Sequence, residues 1–368
     1  MRVDFVITEL FVGGAERCLT ELAIGMAQQG DQVRVFSFAN LPEGEQRLLA
    51  DRLLSAGIDI TTGDADHANQ FLRAFRRLQS WFKESPPDIC QTFLFHANVL
   101  GTLAAKRSGV NTRIGGIRVA ESKPIRIHVE RFAARQMTSA VCVSSAVQQF
   151  AQRQLKIEQS RSIVIPNSVN VSRFVDAVPM SWTDLQWPPD SVVSLFIGRL
   201  HPQKGIDLLQ RQIDVLAPAN SNRRLLLVGD GPLRGDLETW AEKIGADRVR
   251  ILPWQKDVAP ILKASRVLVL PSRYEGMPNV VLEAMASGKP VVCSRVQGSE
   301  ELLSHDNGKQ AFAPGDDNAM KKLVEQFLCD QSLCEEVGLK NRRRAEVDFS
   351  VASMVDAYRR HYQSVLNR

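Results

Sequence analysis

The sequence predicts an α/β protein made of two doubly wound, Rossmann-like parallel sheets. Three observations predict it. The chain has 368 residues, more than one ordinary core accommodates and enough for two domains of similar size. Short apolar runs ending in Gly, Ser or Pro alternate with longer amphipathic stretches along almost the entire chain. The runs are apolar on both faces, as strands are in parallel sheets covered by helices on each side.

Taken in order, the first half offers strands at 2–8, 32–38, 88–93, 112–117, 140–144 and 161–165, with helices between most of them. The second half offers 192–197, 224–229, 248–252, 266–270, 290–294 and 309–313. The halves meet near Asn170, where Val171 to Pro189 carries three prolines with Trp182 and Trp187 and reads as a loop into the second domain. A last amphipathic helix, about 350–366, has no strand partner of its own.

Hydrophobic content of 44% and charged content of 24% are globular values and exclude disordered, collagen-like and coiled-coil classes. A formal charge of +5 is compatible with a phosphorylated substrate, an anionic membrane surface or nucleic acid, and does not choose among them. Arg2-Val3-Asp4-Phe5-Val6-Ile7 reads as a strand with an acid inside it, not as a signal peptide. No stretch is apolar enough to span a bilayer, so a cytoplasmic protein is expected, at most peripheral on the inner face of a membrane. Six cysteines in this length do not make a disulfide scaffold. Cys90, Cys142 and Cys293 read as buried strand thiols, and Cys329 and Cys334 have no further zinc ligands beside them.

Ligands of open parallel sheets sit beyond the carboxyl ends of the strands, so the segments following strands hold the candidate site. After the first strand, Gly13-Gly14-Ala15-Glu16-Arg17 opens a helix running to about Gln29, whose N–H groups and positive dipole end suit an anion. A tight βα turn without a ligand explains the paired glycines equally well, and the missing G-x-G-x-x-G weakens an NAD reading. Gly198-Arg199-Leu200-His201-Pro202-Gln203-Lys204-Gly205 sets two cations in one loop; an Arg fork and a Lys point charge suit two linked phosphates, against the plainer reading of a solvated basic loop. Val228-Gly229-Asp230-Gly231-Pro232 is a Gly-rich turn ahead of a helix. The strongest signal runs from Pro271 to Ala286. There Glu275 lies ahead of a helix that begins near Pro278 or Asn279, and Glu283 sits in its second turn. The backbone of Gly276, Met277, Pro278, Asn279 and Val280 lies between the two acids, so amides face a phosphate while carboxylates accept from hydroxyls. Glu283 has apolar neighbours, and an acid in such a setting needs a partner.

Together these motifs resemble the retaining glycosyltransferases of family 4. The resemblance covers nearly the whole chain and rests on Gly13-Gly14-Ala15-Glu16, Ile165-Pro166-Asn167-Ser168-Val169, Gly198-Arg199 with Lys204-Gly205, Val228-Gly229-Asp230-Gly231-Pro232, and two glutamates eight positions apart. It implies the GT-B architecture, two Rossmann-like domains facing each other across a cleft. Residues 1–170 would bind the acceptor and 171–349 the nucleotide sugar, with the helix at about 350–368 packing back onto the first domain. Arg199 and Lys204 would hold the donor diphosphate and neutralise the leaving group, assisted by the amides after Glu275 and near Gly14, with no metal and no cofactor. Glu275 would contact the sugar hydroxyls and Glu283 the ribose, and Gly198, Gly229 and Trp254 would belong to the donor site. His96 would face the donor sugar and Arg118 the acceptor. The donor expected by resemblance is a UDP-sugar, and the acceptor a saccharide or a lipid-linked one in cell-surface glycan synthesis. Pro253 before Trp254, and Lys309-Gln310 after Asn307-Gly308, depart from the family's pattern.

Asp64-Ala65-Asp66 looks like a metal-binding D-x-D, but it follows no apolar strand and reads as a polar loop. The helix Asn69 to Lys83 is basic and amphipathic, and Lys123 to Arg135 is a second such segment; packing on the sheet with a solvated outer face is the favoured reading, with contact to anionic lipid as the alternative. Two other functions remain open at this stage: a nucleotide-sugar 2-epimerase of the same fold, and a non-catalytic nucleotide-sugar-binding protein. No recognised nucleic-acid module is present.

Overall fold

The computed structural model describes residues 1–120, 123–303 and 307–367. They form two compact units, Met1–Ser168 with Val351–Arg368, and Val169–Ser350.

The first unit is a seven-stranded parallel sheet of β1 (Arg2–Ile7), β2 (Gln32–Ser37), β3 (Asp59–Thr62), β4 (Ile89–Phe93), β5 (Thr112–Ile117), β6 (Ser139–Cys142) and β7 (Ser162–Val164). Its order is β3-β2-β1-β4-β5-β6-β7, with the reversal between β1 and β4. The central strand shows why the pattern is apolar throughout. Val3, Phe5 and Ile7 pack on one side with Leu19, Leu22 and Met26 of the helix Gly14–Gln28, and Val6 packs on the other with Phe36 and Phe82. Each side of the sheet therefore has its own core, and a polar residue on either face would need a partner. Asp4 meets that requirement through Arg34, whose Nη2 lies 2.6 Å from Asp4 Oδ2. The helix Val351–Leu366 returns to this unit and places Met354, Val355, Tyr358 and Tyr362 in the same core as Phe5. Tyr362 is satisfied there by donating to Gln91 Oε1 at 3.0 Å.

The second unit is a six-stranded parallel sheet of β8 (Val192–Ile197), β9 (Arg223–Val228), β10 (Val249–Leu252), β11 (Val267–Leu270), β12 (Val291–Ser294) and β13 (Ala311–Phe312), in the order β10-β9-β8-β11-β12-β13.

Four expectations change. β3 was not among the expected strands: Asp59-Ile60-Thr61-Thr62 is polar because an edge strand pairs on one side only and is partly exposed. Asp64-Ala65-Asp66 follows this polar strand and, as expected, no apolar one. The expected strand 309–313 shrinks to Ala311–Phe312, because Lys309 and Gln310 end the short helix Asn307–Gln310. The basic helix starts at Phe71, not Asn69, and ends at Glu84, preceded by a 3-10 turn over Ala68–Gln70. Val171 to Pro189 is more than a loop. It contains the helix Val171–Val175, and Trp182 and Trp187 are buried against each other at 6.1 Å, with Trp187 Nε1 donating to the Ala246 carbonyl at 2.8 Å. Cys90, Cys142 and Cys293 are fully buried in β4, β6 and β12, and burial pushes all three thiols up, Cys142 and Cys293 to about 12.

Candidate functional site

In the second unit, β8 and β11 are neighbours in the sheet, so the loops that follow them meet. Gly205 has φ +66, and a Cβ there would come within 2.0 Å of the Pro271 carbonyl oxygen. Only glycine permits that approach. Two further bonds fasten the loops: the Arg273 amide donates to the Gln203 carbonyl at 2.7 Å, and Gln203 Nε2 to the Tyr274 carbonyl at 2.9 Å. The result is that Lys204 Nζ reaches Glu275 Oε1 at 2.5 Å.

Glu275 is 9% exposed and its position is over-determined. The buried hydroxyl of Ser272, three residues earlier, also donates to Oε1, at 2.7 Å. Both bonds fall on one oxygen, and among the described residues Oε2 keeps its lone pairs for another donor. Arg199 differs from Lys204: it is exposed, and its guanidinium makes no ion pair among the described residues. With Lys204 paired to Glu275 and Arg273 paired to Asp207 at 2.9 Å, Arg199 is the cation of these loops that makes no ion pair among the described residues.

Beyond Glu275 the buried Gly276, Met277 and Pro278 lead into the helix Asn279–Ala286. Pro278 occupies the N-cap position and supplies no capping side chain, and Asn279 and Val280 form the first turn. Glu283 is half-buried in the second turn among the buried Val281, Leu282, Ala284 and Met285. On the other side of β8, the Gly198 amide donates to the Val228 carbonyl at 3.0 Å, and Gly229, φ +145, would bring a Cβ within 2.0 Å of the Gly198 carbonyl oxygen. The loops after β8 and β9 thus lie backbone on backbone. Asp230 continues that loop: its Oδ2 accepts from the Trp254 amide at 2.7 Å and its Oδ1 from Arg234 at 2.5 Å, and the Trp254 amide leads the bonds that hold this carboxyl below the usual range. Trp254 is therefore tied to the same end of the sheet through its backbone.

The first unit departs further from expectation. Gly13 caps the helix Gly14–Gln28 without a side-chain bond, but the amides of Glu16 and Ala15 turn to the Glu16 carboxylate. That carboxylate lies so near Gly13 that a Cβ there would fall 2.3 Å from Glu16 Oε2. The helix start expected to serve a phosphate is occupied by the protein's own acid. Burial, first, and Glu9 push Glu16 up to about 7, against the pull of its own amide and Arg118. Arg118 was expected to face an acceptor. Instead it is buried, 8% exposed, donates to Asn167 Oδ1, and lies 5.6 Å over the Phe93 ring. His96, just past β4, is exposed and stacks on Phe71 at 5.1 Å with Phe95 edge-on at 5.2 Å. Partial burial and then the Arg126 cation push it down, so the ring is neutral at pH 7 and retains one N–H to donate.

Sequence reasoning brought Lys204 and Glu275 to one site. It missed Ser272, whose only signal is its place three residues ahead of Glu275, and it gave no role to Glu16 or Asp230, although both stood in quoted motifs.

Comparison with known proteins adds two family matches. A model of glycosyltransferase family 4 matches residues 12–173, and one of the glycosyl transferases group 1 matches residues 191–330. The chain is 32% identical over 190 residues to the lipopolysaccharide core biosynthesis glycosyltransferase LpsD of Rhizobium meliloti, covering 51% of this chain and 54% of that one. It is 28% identical over 250 residues to the UDP-Gal:alpha-D-GlcNAc-diphosphoundecaprenol alpha-1,3-galactosyltransferase of Escherichia coli, covering 64% and 65%. The chain thus spans about half to two-thirds of the length of the curated relatives it matches. The crystal structure of Anabaena Alr3699/HepE in complex with UDP shares its fold, with a TM-score of 0.82 over 99% of this chain and all of that one at 20% identity.

Proposed function

This chain belongs to glycosyltransferase family 4, the group 1 glycosyl transferases of GT-B fold, and on that premise we infer that it moves a sugar from a nucleoside-diphosphate donor to a saccharide or lipid-linked acceptor in cell-surface glycan synthesis. The observation that carries the reading is the contact of Lys204 with Glu275 at the carboxyl ends of β8 and β11, with the unpaired Arg199 in the same loop.

A donor diphosphate placed between Arg199 and Lys204 meets two cations as negative charge grows on the leaving oxygen. Such fixed charges stabilise the developing anion without reorganising at the moment of reaction. Glu275 Oε2 accepts from a hydroxyl of the transferred sugar, Glu283 from the ribose, and the amides after Glu275 assist at the phosphates. The bond from the anomeric carbon to the β-phosphate oxygen breaks while the acceptor oxygen attacks from the same face. The acceptor's proton passes to that phosphate oxygen, so configuration is retained and no step calls on a metal. His96, neutral, donates to a sugar hydroxyl. The UDP in the names of the Escherichia coli relative and the Anabaena structure supports a UDP-sugar as donor.

A lipid-linked acceptor suits a contact with an anionic membrane on its cytoplasmic face. The helix Pro124–Ala134 exposes Ile125 at 83% and Phe132 at 55% and carries Arg126 and Arg131, a composition that lies in a lipid interface. Among the described residues no helix is long and apolar enough to cross a bilayer.

The test is incubation with UDP-glucose, UDP-galactose and UDP-N-acetylglucosamine and an extract of bacterial glycolipids, in excess EDTA. Transfer of label to a larger saccharide or lipid is expected. Release of a free epimerised nucleotide sugar with no transfer would instead assign the 2-epimerase reaction.

A further inference from the structure

One groove of the first unit plays no part in the donor site. Its lining includes Phe11, Asn40, Pro42, Glu43, Thr62 and Asp66, and its volume is about 670 Å³. These residues follow β1, β2 and β3, on the side of a parallel sheet where ligands sit. The strand ladder runs on past the strand ends, with the Ala39 amide donating to the Thr8 carbonyl at 2.9 Å and the Ala65 amide to the Phe38 carbonyl at 2.9 Å. The loops that bear Phe11, Asn40 and Asp66 are therefore held side by side.

The chemistry of the walls is specific. Phe11 is 45% exposed, an aromatic ring turned to solvent just after the central strand. Around it stand an amide, a hydroxyl and two carboxylates, and the lining contains no cation. A pyranose has a matching division: one face is a patch of C–H groups that lies on an aromatic ring, and its rim is a set of hydroxyls that carboxylates and amides bind. An anionic diphosphate is repelled by the same walls.

Asn40, Thr62 and Asp66 are ordered before any ligand arrives. Asp66 Oδ1 accepts from the Asn40 amide at 3.0 Å and Oδ2 from Asn40 Nδ2 at 2.5 Å. Those bonds, the side-chain one first, hold this carboxyl below the usual range, so it is an anion with lone pairs to spare. The turn before it is pinned as well. Asp64 takes φ +55, accepts from Thr62 Oγ1 at 2.6 Å and pairs with Arg77 at 2.5 Å. Behind Phe11, the Val12 amide donates to Gln46 Oε1 at 3.1 Å. Walls fixed in this way lose little freedom on binding, and weak individual contacts then add up to recognition.

The geometry points to this groove as the subsite for a neutral, unphosphorylated sugar ring of the acceptor, stacked on Phe11 with its hydroxyls held by Asp66 and Asn40. The assignment of that sugar as an acceptor rests on the glycosyltransferase reading. Along the sheet, β1 stands between β2 and β4, so the groove lies next to the segment carrying Gly13 and Gly14, with His96 beyond it after β4.

Saturation-transfer NMR on the full chain tests it, with methyl α-D-glucopyranoside, methyl α-D-galactopyranoside and N-acetyl-D-glucosamine as probes, with and without UDP. At least one sugar is expected to receive saturation, chiefly on the C–H protons of one face. Phe11→Ala and Asp66→Asn should each weaken that sugar about 10-fold while leaving calorimetric UDP affinity within about twofold. The double variant Arg199→Ala/Lys204→Ala should do the reverse, losing UDP and keeping the sugar. Sugar binding that survives both groove substitutions, or a wild-type chain that binds none of the three sugars, overturns the subsite. A chain that holds a sugar at Phe11 but ignores UDP, GDP and ADP would keep the subsite and sink the glycosyltransferase reading.

Discussion

Ser272 contributes more to the candidate donor site than its size suggests. Its hydroxyl and the Lys204 ammonium share Glu275 Oε1, and the carboxylate is almost wholly buried. A buried ion pair adds little to stability, but removing one member leaves the other desolvated and unpaired. Ser272→Ala deletes one bond to a charged group, worth about 1.5–3 kcal/mol, and frees Glu275 to rotate. The expected result is a fall in donor-turnover kcat of roughly 10-fold with a donor KM close to wild type, partly restored in Ser272→Thr. Steady-state kinetics of UDP-sugar turnover reads it, and an unchanged kcat would mean that Lys204 alone sets the carboxylate. At this scale the sequence was legible where charge and glycine coincide with a strand end, as at Lys204 and Glu275. It was not legible at Ser272, because one hydroxyl in a loop has no periodicity. Nor was it at Arg118, which donates to Asn167, 49 residues away.

The element with the clearest pH dependence is the helix Gly14–Gln28. Glu16 occupies its third position, and the amides of Glu16 and Ala15 satisfy the carboxylate at the cost of burying it. Its folded pKa, about 7, lies above the ordinary value of 4.5. A group raised in this way favours the folded state fully below pH 4.5, and that contribution is lost as pH rises through about 7. Glu16→Gln carries no proton to lose, so its stability relative to wild type should grow between pH 5 and pH 8, by on the order of 3 kcal/mol. Urea midpoints of both proteins at the two pH values measure this, and parallel shifts would place Glu16 in water rather than against Gly13. Elements were legible in proportion to burial. Strands such as β1 and β11, covered on both faces, stand out as unbroken apolar runs. β3 pairs only with β2, needs no second apolar face, and so reads as loop.

For the whole molecule, 368 residues and two successions of strand and helix were sufficient to predict two parallel sheets. The return of Val351–Leu366 to the first unit is written in Met354, Val355, Tyr358 and Tyr362, an apolar stripe at helical spacing, but the stripe does not say which sheet it covers. The candidate donor site was legible because its residues are close in sequence to strand ends of one sheet. The groove proposed to take a sugar was not, since Phe11, Asn40 and Asp66 come from three loops and meet only once β1, β2 and β3 are paired.

We propose that Arg199 and Lys204 hold a diphosphate at the carboxyl end of β8. Calorimetric titration of UDP, GDP and ADP into the wild-type chain and into Arg199→Ala/Lys204→Ala tests it most directly. The wild-type chain is expected to bind one of the three, and the double variant to bind it at least about 100-fold more weakly, a loss near 2.7 kcal/mol. A wild-type chain that binds none of them, or a double variant with undiminished affinity, would contradict it.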